Sequence, residues 1–467
     1  MFERIKKAFG YDATKTTTRR RAPVSDVKSE DDQMTPAERR ALVSTTRNLK
    51  RNFTLSAWMI RKHLDFVASH SFQSNTKIKA LDEQIEKLVQ WWSLKQNFDM
   101  AQKHNLHRFI RLGEAARVTD GDFFIWKSRH GYVAGIEGDR INNPSYGRIA
   151  GKLTAAQLKD YKRGVKVNAA GRHVSYLLNK RSADGGMLIF DKVMPARDII
   201  QFAYWDRIDQ VRGISPLAAG INSMQDTSEG IGYALARAKV SQLFALAMKR
   251  APKDAAGELY GGSYVDEDDE TVEDKSTFTV DFGKGPIVLD LSPDDTADFL
   301  ESKQPSQELQ TFLQAVMSLS LKALDIPYSF YDESFTNYSG ARQALLLYFQ
   351  SAKDKQRCVQ ELLNELTHWR LTLWVLDGII KLPSGMTVSD IEWEWYPTGM
   401  PWIDMAKELI GDTKAVELKV NSRQRITRRA HGTDWRKIEA ELKEEQDVID
   451  KDFPEPVVEK PEANNGS

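Results

Sequence analysis

Apolar residues recur at helical spacing from Thr35-Pro36 through Trp58, Ile60, Leu64 and Phe66, and again from Ile78 to Leu94, where Leu81, Ile85, Leu88 and Trp91 share one face. Between about Ala115 and Tyr204 the period changes to two. Phe124 to Trp126, Val133 to Ile136, His173 to Leu178, Leu188 to Phe190 and Ile199 to Phe202 are short runs broken by Gly, Asn and Pro, which predicts a β-rich module. Pro216 then heads a helical run expected to reach Arg250, with a bend near Asp226 because Gly220, Gly230 and Gly232 lie inside it. Lys249 and Arg250 suit the negative end of a helix dipole, and Pro252 stops the helix. Residues 253 to 300 shift sharply, with Gly257, Gly261, Gly262, the acidic run Asp266 to Glu270 and an alternating Phe278, Val280, Phe282; they read as a small α/β excursion with a solvated acidic loop. Helices return from about Ser306 to Asp325 and from Ser339 to about Asp377, where Gly378 provides a stop. The second, at roughly 37 residues, would be about 55 Å long.

The segment joining these two helices is aromatic and acidic. Pro327 forces Ile326 out of helical dihedrals, so the upstream helix finishes near Asp325. Tyr328, Phe330, Tyr331 and Phe335 alternate with Ser329, Asp332 and Glu333 until Asn337 or Ser339 caps the next helix. Such a loop either tucks against its own domain or points at something. The helix before it is two-sided: Leu309, Phe312, Leu313, Val316, Ala323 and Leu324 form an apolar stripe, while Gln307, Gln310, Thr311, Gln314, Ser318 and Lys322 recur on the other side. That polar side is almost uncharged, where an ordinary exposed helix carries Lys and Glu.

Length allows two or three domains in 467 residues. A single cysteine, Cys358, excludes an internal disulfide and multi-cysteine zinc sites. Sixty-six basic residues balance sixty-six acidic ones, which argues against nucleic-acid binding over the whole surface. No run reaches the roughly 18 apolar residues that span a bilayer, so no membrane partner is expected. The polar stretch 12 to 33, carrying Arg19-Arg20-Arg21, reads as a flexible arm, and the Pro/Glu/Asn tail from 453 as disordered.

Candidate chemistry is sparse. There is no Gly-x-x-x-x-Gly-Lys-Ser/Thr loop to cradle a nucleotide. His104 and His107 stand at helical spacing without a third ligand nearby, so no metal and no cofactor is expected. Glu114, Asp120, Asp122, Glu137 and Asp139 are dense enough to raise a metal-dependent nuclease or recombination enzyme as an alternative function. A monomeric DNA-binding scaffold using Arg19 to Arg21 is another.

Several segments share a pattern. Leu324-Asp-Ile-Pro-Tyr328 and Asn337-Tyr-Ser-Gly-Ala-Arg342 follow, in order, Arg47-Asn-Leu-Lys-Arg-Asn52, Arg111-Leu-Gly-Glu114, Ile136 to Pro144, Gly164 to Tyr176, Pro195-Ala-Arg-Asp198 and Asp206 to Pro216; Val420 to Ile426 and Gly432 to Trp435 close the series. The collinear set, over roughly residues 47 to 435, resembles the lambda-type portal proteins of tailed bacteriophages. The resemblance implies a helix-rich α+β subunit that assembles into a ring, twelve-fold in family precedent, with no catalytic residues. Its parts would be an arm (1–34), a wing (35–225) containing the β-rich module 115–204, a stem helix (226–252), a clip (253–303), a second stem helix (304–325), a tunnel loop (326–338), a long helix and wing (339–400), a helical crown (401–452) and a tail (453–467).

The same resemblance implies a channel for double-stranded DNA at one capsid vertex of the virion, assembled in the host bacterial cytoplasm. Its partners would be the packaging ATPase (large terminase), a head-tail adaptor, and the major capsid and scaffolding proteins. Gln307, Gln310, Gln314 and Ser318 would line a wall that DNA slides past, with Lys322 adding a cationic ring. Asp325, Asp332 and Glu333 would repel phosphates and centre the duplex, and Tyr328, Phe330, Tyr331 and Phe335 would offer bulk for a narrow gate. Asp266, Glu267, Asp268, Asp269 and Glu270 in the clip are either simply solvated or steer a basic partner.

Overall fold

The computed structural model describes residues 27–144, 153–182, 188–243, 246–249, 296–299, 307–332, 338–397, 405–431 and 433–452. They fall into two units, Asn222–Ser320 and the remainder on either side of it. Most of the clip, the arm with Arg19 to Arg21, the tail from 453, and Trp402 lie outside the described residues.

The larger unit opens with helix α1 (Pro36–Asn52). Thr35 and Glu38 close a reciprocal capping box and Pro36 occupies the first turn, so the start is fixed by local chemistry. Helix α2 (Thr54–Val67) follows after Phe53, then strand β1 (His70–Ser74), helix α3 (Lys79–Trp92) and helix α4 (Leu106–Asp120). The periodicity change expected near Ala115 comes only at Asp122, because α4 stays helical until Gly121 takes a left-handed φ of 91°.

The β-rich module has two antiparallel sheets. One pairs β2 (Asp122–Lys127) with both β3 (Val133–Glu137) and β8 (Ile199–Ala203); the other runs β4 (Tyr161–Lys162), β5 (Val165–Val167), β6 (His173–Arg181) and β7 (Leu188–Pro195) in sequence order. Phe124, Ile136, Ile141, Val165, Tyr176, Leu178, Met194, Ile199 and Val211 form one buried cluster between them. The alternation the sequence predicts is only partial, because the central strands are covered on both faces: β2 is buried from Asp122 to Ile125 and β6 from Ser175 to Asn179.

The smaller unit contains helix α5 (Ile221–Leu243, from Asn222 onward), strands β9 (Leu246–Lys249) and β10 (Thr296–Phe299), and helix α6 (Gln307–Leu321, through Ser320). A helix continuing to Arg250 is not what forms. The chain leaves the helix at Leu243, and Leu246 to Lys249 pair antiparallel with Phe299 to Thr296. Distant strand pairing overrides the local propensity of Leu-Ala-Met-Lys, four good helix formers, because propensity amounts to only tenths of a kcal/mol per residue. No break interrupts the helix at Asp226: Pro216–Gly220 is a 3-10 turn and the α-helix is continuous from Ile221. Gly230 lies where a β-carbon would come within 3.1 Å of Leu313, so these two helices approach closely there.

Helix α7 (Tyr338–Leu376) has 39 residues and ends at Gly378, whose φ is 70°. Its later turns hold strand β11 (Trp393–Pro397), which pairs with β1, a contact that the Trp-rich composition did not announce. Trp395 Nε1 donates to Thr367 Oγ1 at 2.9 Å and Gln360 Nε2 to the Trp395 carbonyl at 2.8 Å. Trp92, Phe98 and Trp374 pack in edge contacts at the centre of the surrounding helices. Helices α8 (Met405–Glu417), α9 (Arg423–His431) and α10 (Trp435–Asp452) complete the described chain.

Two buried imidazoles make this unit acid-sensitive. Burial pushes His70 down to about 4, and it lowers His63 as well, against the pull of Glu114. Both folded values lie below the ordinary 6.5, so the unfolded chain binds more protons in that interval and stability falls as pH drops from 6.5 towards 4. His70 alone accounts for up to about 3 kcal/mol. Denaturant midpoints at neutral pH and near pH 4.5 are expected to show this loss, and His70→Phe is expected to reduce it.

Candidate functional site

The helix and loop singled out by the sequence meet different fates. On α6, Gln307 and Gln310 are exposed and Gln314 and Ser318 half-buried. Phe312, from the apolar stripe, is 63% exposed, as is Leu319. Among the described residues, neither side of this helix is fully covered. Lys322 is exposed in a 3-10 turn after Leu321.

Asp325 terminates that turn in the left-handed region, φ 62° and ψ 18°, a conformation that Asp tolerates better than most side chains. Its carboxylate accepts from Ser351 Oγ at 2.6 Å and from Lys355 Nζ at 2.8 Å, and the same ammonium donates to the Leu324 carbonyl at 3.0 Å. Burial raises the carboxyl, but the hydrogen bonds from Lys355 and Ser351 outweigh it and hold the group below the usual carboxylate range. Asp325 thus has a cation from α7 beside it, and these bonds tie the loop to α7. Nothing in the sequence signalled Ser351 and Lys355, which are one turn apart on α7 but remote in the chain.

The loop aromatics sit on α2 and α7. Phe330 stacks on Phe66 at 6.0 Å and meets Tyr348 edge-on at 5.3 Å. Tyr331 meets Trp58 edge-on at 6.0 Å yet keeps 46% of its surface exposed, and Tyr328 packs against it at 5.7 Å. Within one chain, Phe330 thus packs against these helices, while Tyr331 stays open. Asp332 is half-buried; Glu333, Phe335 and the acidic run Asp266 to Glu270 lie outside the described residues.

The five carboxylates do not form a metal site. Glu114 is fully buried between His63, whose Nε2 lies 2.7 Å from Oε1, and Arg117, whose Nε donates to Oε2 at 2.7 Å. Burial pushes its carboxyl up, and the Arg117 charge with these hydrogen bonds pulls it down to about 2. Asp120 accepts two bonds from Arg47, Nε at 2.9 Å and Nη2 at 2.5 Å. Asp139 and Glu137 accept from Arg181 at 2.9 and 2.7 Å. Asp122 is buried and holds Arg212 through both oxygens, at 2.5 and 2.9 Å, and Arg39 at 3.2 Å. Two-metal hydrolysis needs carboxylate oxygens free to converge on cations, whereas here each carboxylate is bonded to an arginine. His104 precedes α4 and His107 lies within its first turn, so the helical pairing expected of them does not form.

Arg212 is the centre of this net. Beyond Asp122 it donates to the carbonyls of Ile141 at 2.5 Å, Arg163 at 2.7 Å and Gly138 at 2.7 Å, which joins both sheets of the module. It reaches them because Gly213 crosses Gly121: a β-carbon on Gly213 would stand 2.1 Å from the Gly121 carbonyl oxygen.

The family model described as phage portal protein, lambda family, matches residues 17–356. A probable portal protein of Halomonas phage phiHAP-1 is 22% identical over 369 residues, which are 74% of this chain and 66% of that protein. The chain thus spans about two thirds, 66%, of the length of that curated relative. Among solved structures, a chain from the virion of a native gene transfer agent particle is 12% identical with a TM-score of 0.46, covering 83% of this chain and 92% of that one. One from the neck of the native particle, computed with C12 symmetry, is 12% identical with a TM-score of 0.42, covering 82% and 92%.

Proposed function

This chain belongs to the lambda family of phage portal proteins, and from that membership we propose that identical copies close into a ring around a channel for double-stranded DNA at one vertex of a phage capsid. The family is a structural one rather than a family of enzymes. The ring would admit the genome during packaging, driven by an ATPase on another subunit, and release it later through a head-tail adaptor. Docking of the ATPase falls to the clip and its acidic run Asp266 to Glu270, and contacts with capsid and scaffolding proteins fall to the wing.

The observation that carries this reading is α6. It offers an almost uncharged Gln and Ser face on one side and leaves Phe312 and Leu319 open on the other. An isolated helix so exposed would waste apolar surface; in a ring, a second copy covers the apolar side while the polar side faces the lumen. A Gln/Ser lining exchanges hydrogen bonds with water and holds a polyanion weakly, so DNA slides. Lys322 supplies the lining's positive charge near its end. Asp325, Asp332 and Glu333 keep the duplex centred, Asp325 with its charge shared with Lys355, and the gate rests on Tyr331 and Phe335 more than on Phe330.

Native mass measurement of the purified chain tests the assembly. Twelve copies of 53.1 kDa give roughly 640 kDa. A species at 53.1 kDa that stays single at all concentrations contradicts it.

A further inference from the structure

Helix α1 carries five basic residues, Arg39, Arg40, Arg47, Lys50 and Arg51, against the single acid Glu38. Arg39 is buried on Asp122 and Arg47 is tied to Asp120. Arg40 and Arg51 are exposed, Lys50 is half-buried, and among the described residues none of the three has an ion-pair partner. Two adjoining hollows of about 800 and 500 Å³ open along this helix and share Arg47, Arg51 and Asp120. Lys50 and Lys103 line the first, Arg40 and Arg181 the second. Burial lowers the ammonium of Lys50 against the pull of Asp120, so a further anion beside it would be welcome.

Arg40, Arg47 and Arg51 are seven and four residues apart, which places them in one stripe along the helix. The stripe spans about 17 Å at about 1.5 Å per residue. A duplex presents a negative charge every ~1.7 Å of its axis in any register, and guanidinium forks match phosphate oxygens. An acidic peptide would have to bring carboxylates at the stripe's own spacing. We infer that the cleft along α1 is a second nucleic-acid contact, holding the phosphate backbone of duplex DNA through residues other than those of the α6 lining.

Closed-circular duplex DNA added to preassembled rings tests this, because a circle cannot be threaded through a ring that is already closed and so does not report passage through the channel. The full-length protein is expected to bind it at low salt. Arg40→Ala with Lys50→Ala and Arg51→Ala is expected to weaken binding about tenfold or more and to flatten the salt dependence by about 0.9 in log–log slope for each phosphate no longer neutralised. Ring mass and thermal midpoint should not move, and Lys322→Ala should leave circle binding as it was. The inference is overturned if the circle does not bind, or if the triple variant keeps the original slope. It is also overturned if polyglutamate binds the protein where the circle does not and the triple variant loses that binding, which assigns the cleft to an acidic protein surface. Each of those failures leaves the channel reading intact.

Discussion

Arg212→Ala is expected to cost about 3–5 kcal/mol, the range found when one partner of a buried ion pair is removed. The side chain is 1% exposed and Asp122 is completely buried. Truncation strands the Asp122 carboxylate with only Arg39 at 3.2 Å, and it leaves the carbonyls of Ile141, Arg163 and Gly138 without this donor. Arg212→Lys keeps the charge but cannot reach two carboxylate oxygens and three carbonyls at once, so it should recover only a minor part. The check is the denaturant midpoint of the β-rich module, followed through its aromatic signals. A midpoint unchanged in Arg212→Ala would mean that the net is incidental to the fold.

Gln310→Lys together with Gln314→Lys is expected to block genome packaging by about tenfold or more while rings still assemble. Gln310 is exposed and Gln314 half-buried on the polar side of α6, so added ammonium groups have room and do not disturb packing. In a ring each substitution is repeated in every copy, which turns a weakly interacting wall into stacked cationic rings that hold phosphates. DNA per particle, counted on particles of normal protein composition, measures the effect. Packaging at the original level would remove these residues from the path of DNA.

Much of the fold could be read from spacing, because the relevant physics is local. The helix start at Thr35-Pro36 and the stop at Gly378 are local signals of this kind, and short runs broken by Gly, Asn and Pro mark β2, β3, β6 and β8, whereas the spacing put the end of α4 near Ala115 and not at Gly121. What could not be read depends on partners far away in the chain. The pairing of β1 with β11 and of β9 with β10 joins segments whose own sequences do not reveal the partner. The Asp325 clamp needs Lys355 from another helix.

The carboxylates are the most instructive case. Sequence placed Glu114, Asp120, Asp122, Glu137 and Asp139 within one region, but it could not say that Arg47, Arg117, Arg181 and Arg212 would arrive to neutralise them. Segments that carry the family resemblance meet at this net: Arg47, Gly138, Asp139, Ile141 and Arg212 all belong to them. Their shared role is to hold the module together.

The most direct test is an electron-microscope reconstruction of the purified assembly, viewed down its symmetry axis. A hollow cylinder is expected, with Gln307, Gln310, Gln314, Ser318 and Lys322 on the wall of its axial opening. Solitary particles, or a ring in which α6 lies away from the opening, would contradict the account.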